Sequence, residues 1–255
     1  MASSAHAGRL ANKVAVVAGG GKNLGGLTSR LLAGEGAKVV VHYNSLSSKA
    51  EAEQTVREIK QAGGDAFAVQ GDLTKPMETA RLFAEAKAHF NRVDIAVNTV
   101  GKVLRKSMAD TTEAEYDEMF AVNSKAAYFF LREAGRAVSD GGRIISVVTS
   151  LLGAFTDGYS TYAGSKASVE HFTRAAAKEL SVRGVSVTSV APGPMDTPFF
   201  YPQETPERVG YHKSQGMGNR LTKVEDIAPI IVFLATEGGW ITGQTIFANG
   251  GYTTR

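Results

Sequence analysis

Short β-branched runs alternate with longer segments of helical period along nearly the whole chain. The runs Val14–Ala18, Lys38–Tyr43, Ala66–Gln70, Asp94–Asn98, Arg143–Val148, Val185–Ala191 and Thr245–Phe247 read as strands. Between them lie a leucine pattern through Leu27, Leu31 and Leu32, an amphipathic Ala50–Ala62 closed by Gly63-Gly64, and Pro76–Phe90. Glu113–Ala137, Thr161–Arg183 (closed by Gly184) and Val224–Thr236 continue the helical series, and the long stretch before the last of these reads as loop. Strand–helix alternation at this spacing predicts right-handed βαβ units and a doubly wound, mostly parallel sheet of about seven strands with helices on both faces. No linker or repeat interrupts the pattern. Residues 1–255 therefore read as one α/β domain, with 1–9 a flexible tail and 194–222 a substrate-binding loop region.

Ligands of such sheets sit beyond the carboxyl ends of the strands. After the first strand comes Gly19-Gly20-Gly21-Lys22-Asn23-Leu24-Gly25-Gly26, a turn that lets a backbone approach closely and opens a helix toward a pyrophosphate. The dinucleotide fingerprint GxGxxG fits it in no frame. The second strand ends in Tyr43-Asn44-Ser45 with no acidic residue for a ribose 2′-hydroxyl. With Lys22 in the glycine turn, that favours NADP(H) over NAD(H); the plain alternative leaves Lys22 simply solvated. Gly71-Asp72-Leu73 follows the third strand and Asn98-Thr99-Val100-Gly101 the fourth. Asn123 interrupts an apolar stripe (Met119, Phe120, Val122, Ala126, Ala127, Phe130), either as a structural hydrogen bond to the neighbouring strand or as a water relay to Lys166.

Tyr162 and Lys166 stand four residues apart on a segment of helical pattern and so share a face. An adjacent ammonium favours a phenolate, which brings a tyrosine toward the range useful for acid/base work. Alone the pair is ordinary: a tyrosine at a core edge and a solvated lysine.

Composition narrows the rest. The chain carries 43% apolar and 21% charged residues and no cysteine, which excludes disulfides and thiolate metal sites and suits a cytoplasmic protein. Its N-terminus lacks the apolar stretch of a signal peptide, and no apolar run approaches the ~20 residues of a membrane span. The net charge of +3 is scattered, without a nucleic-acid-binding block. His6, His42, His89, His171 and His212 show no metal-ligand spacing and read as structural or surface residues, so no metal is expected.

As an ordered set, these stretches resemble the short-chain dehydrogenase/reductase family from about Leu10 to Tyr252. Its glycine motif falls on Ala18, Gly19, Asn23, Leu24 and Gly25, and its Asp-Leu on Asp72 and Leu73. Asn98, Thr99, Val100 and Gly101 stand for its NNAG, and Pro192, Gly193 and Thr197 for its PGxxxT. The resemblance implies a Rossmann fold, a homotetramer, and a catalytic set of Asn123, Ser150, Tyr162 and Lys166. Ser150 would bond the substrate carbonyl, Tyr162 move its proton, Lys166 hold the nicotinamide ribose and Asn123 support a relay water. Thr149 has the more usual distance to Tyr162, but Gly153 selects Ser150 through Ser-x-x-Gly. Asn23 replaces a glycine, although Asn tolerates positive φ, and Ala18 replaces a threonine that braces the loop.

The expected activity is NADPH-dependent reduction of a ketone, or oxidation of a secondary alcohol. A 3-oxoacyl-thioester reductase or sugar/polyol dehydrogenase remains the alternative, as does a non-catalytic NADP(H)-binding redox sensor. Phe155, Tyr159, Phe199, Phe200, Tyr201, Tyr211 and Met217 suggest an aromatic lid for a bulky or aryl ketone, or else a lid packing on its own sheet.

Overall fold

The strands β1 (Val14–Ala18), β2 (Lys38–Tyr43), β3 (Ala66–Gln70), β4 (Ile95–Asn98), β5 (Arg143–Val147), β6 (Ser186–Pro192) and β7 (Thr245–Ala248) form one parallel sheet in the order β3-β2-β1-β4-β5-β6-β7. The computed structural model describes residues 8–254, so most of the expected N-terminal tail lies outside the described residues. All five residues of β1 and all seven of β6 are buried, which is why these strands read as apolar runs rather than alternating ones.

One face is covered by α1 (Asn23–Gly34), α2 (Lys49–Gln61) and α8 (Val224–Thr236), whose Leu32, Ile59, Ile227 and Ile231 pack on Val17, Val39 and Ile145. The other carries α3 (Pro76–Phe90), α5 (Ala126–Ala137) and α6 (Ser160–Glu179), where Phe83, Phe130 and Ala177 meet Val16, Ala96 and Val187. With helices on both faces, the strand ends are where such a sheet offers a site for chemistry. Strand order reverses between β1 and β4, and the turns after these two strands face each other across that switch point.

Two segments differ from the sequence reading. The long helix over Glu113–Ala137 is broken into α4 (Glu113–Met119), a π-helical turn (Phe120–Lys125) and α5. The π turn carries Asn123, and such turns cluster at functional sites. The expected long loop holds α7 (Pro206–Gln215), capped by Thr205 accepting from the Arg208 N–H, with Pro206 in its first turn. Thr-Pro-Glu is a helix-start signature, but only two residues of the following segment, Val209 and Tyr211, are apolar, so no apolar period marks the helix.

Candidate active site

The glycine turn after β1 is fixed by side chains from four other elements. The Thr99 hydroxyl donates to the carbonyls of Ala18 (2.8 Å) and Gly19 (3.3 Å), Ser29 to Gly20 (3.0 Å) and Thr55 to Gly21 (2.9 Å). Thr99 thus braces the turn from β4 where the family's threonine is replaced by Ala18. On β2, His42 Nδ1 accepts from the Gly19 N–H (3.1 Å), and its carbonyl accepts from the Gly20 N–H (2.9 Å). Its Nε2–H donates to Gly71 O (2.8 Å), a tautomer forced by the amide on the other nitrogen. Burial pushes this imidazole down to about 4, so it is neutral. The histidine is structural, as read from the sequence, yet its structural role is to shape the turn.

That turn fits a dinucleotide phosphate. A Cβ on Gly25 would stand 2.1 Å from Gly19 O, so only glycine lets α1 start this close to the turn. Asn23 adopts φ 46°, the left-handed conformation that asparagine tolerates. Lys22 caps α1 without a side-chain bond and the first turn holds no acid, leaving helix N–H groups for an anion. The Lys22 ammonium pairs with Glu51 at 3.3 Å, both about half exposed. Across the cleft the Thr197 hydroxyl is buried without a protein partner, a polar group awaiting a ligand atom.

A single cleft of about 340 Å³ runs along these strand ends. Of the expected cofactor residues, Gly19, Lys22, Asn23, Leu24, Gly25, Tyr43, Asn44, Gly101, Pro192, Gly193 and Thr197 line it, as do Tyr162 and Lys166. Four expected contacts do not. Ser45 turns to Ser47 (2.8 Å) while Ser48 takes the cleft position; the Asp72 carboxylate closes its own turn on Thr74 (2.7 Å). Leu73 belongs to the core, and Asn98 Oδ1 accepts from the Val100 N–H (3.0 Å), holding the turn rather than facing the cleft.

At the inner end Tyr162 and Lys166 are both buried and both line the cleft, side by side on α6. The Lys166 ammonium donates to the carbonyls of Val147 (3.0 Å) and Val100 (3.3 Å). Burial lowers Lys166 to about 8 and raises Tyr162 to about 12. The spacing alone pointed to a lowered phenol; among the protein's own groups, burial outweighs any help from the ammonium.

Thr149 and Ser150 both line the cleft with Tyr162, and their hydroxyls are engaged differently. Ser150 donates to the Ala191 carbonyl at 3.1 Å, anchoring the turn after β5 to β6. Thr149 meets the phenol and favours its ionised form, its oxygen also accepting from the Leu151 N–H at 3.3 Å. Asn123 is closed in by protein: Oδ1 accepts from the Lys102 N–H (2.9 Å), and Nδ2 donates to Lys102 O (2.8 Å) and Ser165 Oγ (3.1 Å). It shapes the backbone beside Lys166 and does not line the cleft.

The outer end is part aromatic. Tyr159, Phe199 and Phe200 line it, but Phe155 is fully exposed, and Tyr201, Tyr211 and Met217 also face solvent. Gln203, His212 and Tyr252, not singled out from the sequence, complete the wall. Among the described residues no cluster of His, Asp or Glu could hold a metal, and no helix is long and apolar enough to cross a membrane.

A family model described as Enoyl-(Acyl carrier protein) reductase matches residues 19–253. The short chain dehydrogenase/reductase nsrJ of Aspergillus novofumigatus is 37% identical, the alignment covering 96% of this chain and 97% of that protein. Among solved structures, a Burkholderia cenocepacia protein with bound NADP is 57% identical, with a TM-score of 0.94 over 96% of this chain and 95% of its own. The angucycline C-6 ketoreductase LanV, also with bound NADP, is 31% identical, with a TM-score of 0.89 over 96% and 97%. Matches of this coverage along the whole fold place the chain in the short-chain dehydrogenase/reductase family.

Proposed function

We propose that this oxidoreductase moves a hydride between NADP(H) and a ketone or secondary alcohol, with Tyr162 as the general acid/base. The observation that carries the reading is that Tyr162, Lys166 and Thr149, all buried, line one cleft together with a glycine turn shaped for phosphate.

NADPH bound there supplies the hydride. Tyr162, kept protonated by burial, donates its proton to the oxygen of the reduced carbonyl. Thr149, whose hydroxyl already meets the phenol, donates a hydrogen bond to that same oxygen as charge develops on it. Lys166, held by two backbone carbonyls, keeps a positive charge beside the phenol and offers its third proton to the nicotinamide ribose. Asn123 is a positioning residue, holding the backbone of Lys102 next to Lys166. Gly19–Gly25, Pro192, Gly193 and Thr197 hold the pyrophosphate and nicotinamide side. Lys22, Tyr43, Asn44 and Ser48 face the 2′-phosphate, with no carboxylate on β2 to repel it.

A bulky or aryl ketone fits Tyr159, Phe199 and Phe200 at the outer end, and an angucycline C-6 ketoreductase is among the chain's structural relatives. A homotetramer agrees with the groove between Phe120, Tyr128, Phe129 and Phe172, where Tyr128 is 49% exposed on the outer face of α5. The test of the activity is NADPH oxidation by purified protein with aryl ketones, aliphatic ketones, a β-keto thioester and an enoyl thioester. Turnover of aryl ketones supports the reading. Turnover restricted to the enoyl thioester would replace it with double-bond reduction, and cofactor binding without turnover of any of them would favour the sensor.

A further inference from the structure

The outer wall of the cleft contains a chain of hydrogen bonds that the proton transfer does not use. Its origin is Glu204, whose side chain is wholly buried although it belongs to the loop before α7. Glu204 Oε1 accepts from the Tyr159 hydroxyl and lies 3.1 Å from His212 Nε2. Arg105 Nε stands 3.7 Å from the other carboxylate oxygen. On the far side of the imidazole, His212 Nδ1 lies 2.9 Å from the Tyr252 hydroxyl. Tyr159, His212 and Tyr252 all line the cleft, and Glu204 stands behind them.

With the imidazole neutral, the directions in this chain follow from valence. A carboxylate only accepts, so the His212 Nε2 facing it carries the proton. A neutral imidazole then has an acceptor at Nδ1, and the Tyr252 O–H must donate to it. Tyr252 therefore has no proton left for the cleft. Its oxygen offers only lone pairs, and a ligand group beside it must be a donor. Tyr159 is committed in the same way, since its proton is held by Glu204. A buried carboxylate behind the wall thus makes the exposed hydroxyl an acceptor.

We propose that Tyr252, oriented through His212 by Glu204, is a specificity-determining residue that selects ketones bearing a hydroxyl donor remote from the reacting carbonyl. The inference rests on reading this cleft as a ketone site and adds the substrate class, a hydroxylated aryl ketone. Tyr252 is the contact, and His212 and Glu204 are positioning residues.

The test compares a hydroxyaryl ketone with its methyl ether, which has the same ring and no donor. Binding to the NADPH-loaded protein is measured by calorimetry, and turnover separately. The wild type should prefer the hydroxyl compound by about tenfold, the worth of one hydrogen bond of ordinary strength. Tyr252→Phe should erase that ratio through affinity and KM rather than kcat. His212→Leu should invert it, because with no acceptor at Nδ1 the Tyr252 O–H is freed to donate into the cleft, where an ether oxygen accepts it. Glu204→Gln, whose amide oxygen can still accept from Tyr159 and His212, should keep the wild-type preference. Equal binding of the two compounds by the wild type, or an unchanged ratio in Tyr252→Phe, would overturn the proposal. Selective binding with no turnover of either compound would uphold it and fail the reductase reading instead.

Discussion

The Thr149 hydroxyl favours the ionised form of the Tyr162 phenol, while that of its neighbour Ser150 is committed to the Ala191 carbonyl. Ser150 is buried with its proton donated to the Ala191 carbonyl at 3.1 Å, whereas the Thr149 hydroxyl acts directly on Tyr162. The two residues therefore divide along different lines. Thr149→Val keeps the shape and removes a donor to the developing alkoxide, so kcat should drop by roughly 10²–10³ with little change in NADPH affinity. Ser150→Ala removes a buried structural bond and should cost about 1 kcal/mol of stability with a much smaller effect on kcat. Steady-state kinetics beside urea unfolding separate the two. A larger kcat loss in Ser150→Ala would restore the serine to the catalytic role.

Tyr162→Phe leaves packing intact and deletes the proton donor. Turnover should fall by about 10²–10⁴, the usual worth of general acid/base catalysis, while NADPH still binds. Fluorescence titration with NADPH and a rate assay on the same preparation check both halves.

The pH profile should report Lys166. Its pKa is lowered to about 8 by burial, so the ammonium is present below that pH and lost as pH rises through it. Tyr162, at about 12, stays protonated over the same range. Ketone reduction should therefore decline above about pH 8, and Lys166→Arg, which cannot lose its charge, should show a lower rate without that decline. A profile flat to pH 10 in the wild type would separate Lys166 from the reaction.

How much of this was legible in the sequence depends on the range of the interaction concerned. The buried strands and the helices Pro76–Phe90 and Val224–Thr236 were readable because each depends on local period and composition. The pairing of Tyr162 with Lys166 was readable because helical spacing alone brings them together. Brackets between distant segments were not. His42 and Thr99 join the glycine turn only through folding, across separations of 23 and 80 residues. Glu204 looked like any loop carboxylate, and its burial arises from Arg105, Tyr159 and His212 converging from three segments. The π turn at Asn123 was hidden for another reason: one extra residue per turn leaves the apolar stripe almost unchanged.

Cofactor choice is expected to turn on Lys22. Its ammonium is half exposed and held only by Glu51 at 3.3 Å, an ion pair of little intrinsic worth that a phosphate can displace. Lys22→Ala should raise KM for NADPH by about tenfold and leave NADH unaffected. Asn44→Asp places a carboxylate in the cleft beside β2 and should reverse the preference. Parallel kinetics with the two cofactors test both, and equal effects on NADPH and NADH would remove Lys22 from 2′-phosphate recognition.

The last expectation concerns acid stability, and it arises from the clamp on the glycine turn. His42 has its pKa lowered from 6.5 to about 4 by burial, which outweighs the bond to the Gly71 carbonyl that favours the charged ring. Between these two values the unfolded chain binds a proton that the folded chain refuses, so stability falls as pH falls. The contribution is fully present above the unfolded value. It is lost through the window from about 6.5 to about 4, amounting to about 3 kcal/mol at its lower end. His42→Asn removes the titrating group. That variant should be less stable at pH 7, having lost a fitted buried partner, but its stability should fall less steeply on acidification. Urea unfolding at intervals from pH 7 to pH 4 gives the two slopes. Parallel slopes would mean that His42 does not govern the acid response, and that the turn is held chiefly by the hydroxyls of Thr99, Ser29 and Thr55.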